Sequence, residues 1–115
     1  MNMARVKAGD LIGDALNWAV DWAASEVFGH DAAFSQTVPF SPLTDWGQAG
    51  PLIDKFGVSV ISNGDEYCAY IGLNAHQDDW GWRNKACGDT YLTAAMRVIV
   101  INELGDYVSV PAELL

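Results

Sequence analysis

The chain has 115 residues, half of them hydrophobic and 18% charged, which is the balance of a folded protein rather than a disordered one. Fifteen Asp and Glu against six Lys and Arg give a formal net charge of -9. That charge argues against a protein that grips nucleic-acid phosphates through a basic face, and equally disfavours one that docks on an anionic membrane.

A single domain spanning 1–115 is expected at this length. Residues 3–7, MARVK, alternate weakly and predict a short first strand. From about 10 to 25, DLIGDALNWAVDWAAS places Leu16, Ala19, Val20 and Ala23 on one helical face, with Trp18 and Trp22 on a second. Asp10 is a candidate N-cap, with Gly13 able to delay the start, and a helix apolar on two faces is expected to be covered on both. Residues 28–50 hold Gly29, Pro39, Pro42, Gly47 and Gly50 and predict a loop, longer than a plain connector needs to be. Gly50-Pro51 then predicts a short helix over 51–56, with proline at its first position and Gly57 closing it.

VSVIS and EYCAYIGL follow, joined through Asn63-Gly64, the strongest short hairpin signal, so strands are expected at 58–62 and 66–72. Residues 74–89, NAHQDDWGWRNKACGD, predict a second loop. From 90 to 104, TYLTAAMRVIVINEL predicts a nearly buried central helix, capped by Asp89 or Thr90 and ended by Gly105. Residues 107–111, YVSVP, predict an edge strand or extended tail stopped by Pro111. The architecture implied is α+β: a small antiparallel sheet, made of hairpin 58–72 and short terminal strands, packed with two main helices and one short one.

Three blocks carry a family resemblance: LIGDALNWAVDWA (11–23), TDWGQAGPLID (44–54) and TAAMRVIVINELGDYVSVPAEL (93–114). Together, and in this order, they resemble the NinX-like proteins of tailed phages and prophages. The resemblance implies a small cytoplasmic protein made in a bacterial host. Where the family tends to read Gly-Pro-Thr-Pro before the last helix, this chain has Gly88-Asp89-Thr90-Tyr91. The Asp89 carboxylate argues against an anion at that helix N-terminus.

The candidate site residues fall on the two predicted loops and the last helix. Trp46, Trp80 and Trp82 stand beside or near glycines in loops, where a plug at the sheet ends competes with a stacking platform for a ligand or partner. Asp45, Gln48, His76, Asp78, Asp79, Arg83 and Arg97 would join them if the two loops meet. A hydrolase-type enzyme built on Asp45, His76 and Asp79 is the alternative, weakened by the lack of a second nearby histidine or a nucleophile motif. Arg97, on an otherwise apolar helix, needs carboxylates or carbonyls; a tie to Asp45 or Asp54 is expected, with Asp45 favoured, against a role in holding a ligand's carboxylate or phosphate.

The two cysteines, Cys68 and Cys87, make neither a disulfide scaffold nor a zinc site by count and spacing, so reduced thiols serving as small core residues are expected. No run nears a membrane span, and MNMARVKAGD has no apolar stretch behind its basic residues, so no signal peptide is expected. No metal or cofactor is expected. The reading is an accessory protein binding a host protein or small molecule through the Trp-bearing loops 28–50 and 74–89, with a homodimer as a further possibility.

Overall fold

The computed structural model describes residues 2–28, 41–71 and 84–115. In chain order these form β1 (Met3–Lys7), a single 3-10 turn (Ala8–Asp10), α1 (Gly13–Phe28), α2 (Trp46–Phe56), β2 (Ser59–Asn63), β3 (Glu66–Ile71), β4 (Asn84–Gly88), α3 (Tyr91–Leu104), β5 (Tyr107–Pro111) and a closing 3-10 turn (Ala112–Leu114). The fold is α+β, as the periodicities imply. Among the described residues no helix is long and apolar enough to cross a membrane.

α3 is the organiser. Thr90 caps it by accepting from the Thr93 N–H at 3.0 Å, and Gly105, at φ 99°, ends it. Leu92, Ala94, Ala95, Met96, Val98, Ile99 and Val100 are all buried, because α3 touches α1, α2 and strands of both sheets. Each fully buried Val, Ile or Met among them contributes about 1.5–3 kcal/mol, so α3 holds much of the core's energy. α1 brings a face of small residues, Ala15, Ala19, Ala23 and Ala24, around Leu16 and Val20, all buried. Its aromatic pair is not covered throughout: Trp18 is partly buried, but Trp22 is 41% exposed and meets Trp18 edge-on at 5.6 Å.

The terminal strands pair with each other and form a two-stranded antiparallel sheet of their own, with Met3 opposite Pro111 and Lys7 opposite Tyr107. Val108 and Val110 face the core, while Arg5 lies over the Tyr107 ring at 4.9 Å on the outer face. The second sheet has the order β2-β3-β4. Its hairpin turns one residue later than expected: Asn63 is still paired, with Glu66, and Gly64-Asp65 make the two-residue turn. Gly64 has φ 73° and Asp65 does not have positive φ, the pattern of a turn with glycine at its first central position.

Three further expectations are corrected. The stretch 84–88, read as loop, is strand β4, in register with β3 from Tyr67 opposite Gly88 to Ile71 opposite Asn84. Its own residues favour a strand poorly; pairing with β3 and packing on α3 decide the matter. The short helix does not start at Pro51 but at Trp46, so Pro51 lies inside it. A helix tolerates this proline because Gly50 has no Cβ to clash with the proline ring, and the bond forfeited is only the one to the Gly47 carbonyl. At its far end Gly57, at φ 67°, donates to the Asp54 carbonyl and Val58 donates to the Ile53 carbonyl, a Schellman closure. Third, the thiols are not free: Cys68 and Cys87, opposite each other in β3 and β4, form a disulfide.

Candidate functional site

The segment 41–46 is fixed from several sides before it enters α2. Pro42 is fully buried, and the Leu43 N–H donates to Asn17 Oδ1 of α1 at 3.3 Å. Gln48 reaches back so that its Oε1 accepts from the Ser41 N–H at 2.6 Å. Asp45 is the N-cap of α2: its Oδ1 accepts from the Gly47 N–H at 2.8 Å, and its carbonyl accepts from Gln48 and Ala49. Ala49 and Leu52 then bury the inner face of the helix.

Trp46, the first residue of α2, is thereby held at the surface with 57% of its area exposed. Its ring lies 5.1 Å from that of Tyr91, the first residue of α3, and Tyr91 meets Tyr67 of β3 at 6.1 Å, nearly edge-on. Both tyrosines pack partly buried against the core. The N-terminal ends of α2 and α3 are thus joined by a row of three rings, anchored at Tyr67 and open at Trp46. Sequence reading missed Tyr67 and Tyr91; the signal available was their place at a strand start and at a helix N1 position.

Arg97 lies elsewhere. It is six residues beyond Tyr91, which turns it about 240° around the helix axis. Its Nε donates to the Leu11 carbonyl at 2.8 Å and its Nη1 to the Cys87 carbonyl at 2.7 Å. The expected pair with Asp45 is therefore not formed, and among the described residues Arg97 makes no ion pair with Asp54 either. Carbonyls, not a carboxylate, satisfy the guanidinium, because α3 passes directly beneath the edge of β4 and the 3-10 turn. Arg97 lines an open pocket of about 640 Å³ with Ile12, Asp65, Glu66, Cys87, Gly88 and Asp89.

Gly88, on the floor of that pocket, is there for packing. A Cβ at this position would lie 2.8 Å from Thr93 Cγ2 and 3.1 Å from the Ala94 nitrogen. Of the remaining candidates, His76, Asp78, Asp79, Trp80, Trp82 and Arg83 lie outside the described residues. The cleft walled by Trp46 with Trp80 or Trp82, and the Asp45, His76 and Asp79 trio, are thus placed only at their Asp45 and Trp46 ends.

A family model described as Bacteriophage P22, NinX matches residues 7–103. The chain belongs to the NinX family. The match spans α1, α2, the β2-β3-β4 sheet and nearly all of α3, so the aromatic row and Arg97 lie within the matched stretch. No curated protein matches the chain.

Proposed function

We propose that this NinX protein is a non-catalytic accessory protein of a phage or prophage that binds a host protein or a small planar ligand through the Trp46–Tyr91–Tyr67 row. The observation that carries the reading is Trp46 itself, more than half exposed although its backbone and its neighbours are fixed. A large ring already held in place loses little freedom on binding and offers wide contact area, so it can anchor a partner without any basic patch. The chain's net charge of -9 disfavours a polyanionic partner.

The enzyme reading draws less support, since Asp45 spends its carboxylate on the α2 N-terminus. The test is capture from host lysate, with mass spectrometry of both captured proteins and small molecules that copurify, comparing wild type with Trp46→Ala. A partner held by wild type and lost by the folded variant is the expected result. Equal retention by both would place binding elsewhere.

A further inference from the structure

We propose that Cys68, Cys87 and Glu66 form a site for a thiophilic divalent cation of the zinc class whenever the disulfide is reduced. The cluster lies within the matched residues 7–103, but the proposal stands on the geometry of the β3–β4 ladder.

Residues 66, 68, 85 and 87 share the face of the sheet turned away from α3, since Ala69 and Ala86 are buried and Gly88 abuts Thr93 on the opposite face. Cys68 and Cys87 are direct partners with Cα atoms 4.0 Å apart. The Cys87 carbonyl points away from β3, where it accepts from Arg97. The cysteines are therefore a non-hydrogen-bonded pair, the kind in which opposed side chains come closest. The ladder bonds on either side keep the two sulfurs adjacent whether or not they are bonded to each other.

The third donor comes from the same strand two residues back. Glu66 Oε1 lies 4.0 Å from Cys68 Sγ, and the two sulfurs and the carboxylate oxygen all fall within 4.8 Å of one another. A tetrahedral zinc with bonds of about 2.0–2.3 Å holds its ligand atoms roughly 3.5–4 Å apart, a spacing these three donors reach with small rotamer changes. Two thiolates and a carboxylate leave the fourth position for water. The way in is the pocket that Glu66 and Cys87 line, where the charged residues among those described are Asp65, Glu66, Asp89 and Arg97. Three carboxylates to one guanidinium favour a cation over an anion. Two soft sulfur donors favour zinc or cadmium over calcium or magnesium.

The chemistry balances simply. A dithiol or phosphine reductant supplies two electrons, the S–S bond breaks and two thiols form. The cation then displaces two protons and is held by two thiolates and the Glu66 carboxylate. Oxidation closes the site by consuming two of its three donors.

The test is titration of the full-length protein with Co2+ after phosphine reduction and removal of the reductant, followed by competition with Zn2+. We expect a sulfur-to-cobalt charge-transfer band that saturates at one ion per chain, is displaced by Zn2+, and is absent from the oxidised protein. Glu66→Gln, at an exposed position that leaves the fold alone, should weaken the ion at least tenfold. Cys87→Ser should abolish the thiolate band. No band in the reduced protein, a band undiminished in Cys87→Ser, or equal binding by oxidised protein would overturn the site. Unchanged affinity in Glu66→Gln would overturn the three-donor geometry.

Discussion

Arg97 Nη1 donates to the Cys87 carbonyl at 2.7 Å, so the guanidinium of the central helix is bonded to the outer edge of strand β4. With its second bond, to the Leu11 carbonyl, one side chain ties α3 to the last strand of the sheet and to the entry of α1. Charged donors to carbonyls contribute about 1.5–3 kcal/mol each where desolvated, and less here because Arg97 is only half-buried. Arg97→Met should therefore cost about 2 kcal/mol in chemical denaturation. In a double-mutant cycle with Asp45→Asn the two changes should add, because they share no partner. A coupling above about 1 kcal/mol would restore the Arg97–Asp45 pair that the geometry denies.

Asp45 caps α2 with its Oδ1, so the capping oxygen rather than the charge is expected to carry its contribution. Asp45→Ala should lower stability by about 1 kcal/mol, whereas Asp45→Asn, an equally good N-cap, should be nearly neutral. Thermal melts of the two variants decide this. Equal losses in both would mean that the carboxylate's charge matters in the folded protein.

Two glycines of the second sheet are required for different reasons, and their variants separate those reasons. Gly64→Val forces a β-branched residue to φ 73°, where its Cβ meets nothing within 4 Å among the described residues, a backbone penalty of about 1–2 kcal/mol. Gly88→Ala places a methyl group against Thr93 and the α3 backbone, an overpacking cost of about 1–3 kcal/mol. Pairing Gly88→Ala with Thr93→Ser, which removes the methyl group it meets, should recover part of that loss. The same second change should do nothing for Gly64→Val.

Much of this fold is legible in the sequence because it is local. The Asn-Gly pair between β-rich runs, the Thr90 and Gly105 boundaries of α3, and the alternation at both ends of the chain are read within a few residues. Part of what escapes is non-local. NKACG holds Asn, Lys and Gly, which favour strands poorly, and becomes β4 only when Tyr67 to Ile71 stand beside it. The Cys68–Cys87 disulfide follows from that register and is invisible without it. The start of α2 is hidden for a local reason: Pro51 imitates an N1 proline, and Gly47 and Gly50 disguise five helical residues as a loop. Correcting it also moves Trp46 from a loop onto the first turn of a helix, where its ring meets Tyr91.

Reduction offers a stability prediction distinct from ion binding. The disulfide joins residues 19 apart, and closing a loop of that size stabilises by about 3 kcal/mol in the chain-entropy picture. Denaturant midpoints measured with and without a phosphine reductant, in the presence of a chelator, should therefore differ clearly. Identical midpoints would mean that Cys68 and Cys87 are unbonded in solution.

The central claim is that Trp46 is where this NinX protein meets its partner. The direct measurement places a photo-crosslinking amino acid at position 46 and, separately, at position 22, the site of another exposed tryptophan. Both proteins are illuminated in host cells, and the masses of the adducts are read. The account predicts a discrete adduct from position 46 that position 22 does not give. An adduct from position 22 alone, or none from position 46, would contradict it.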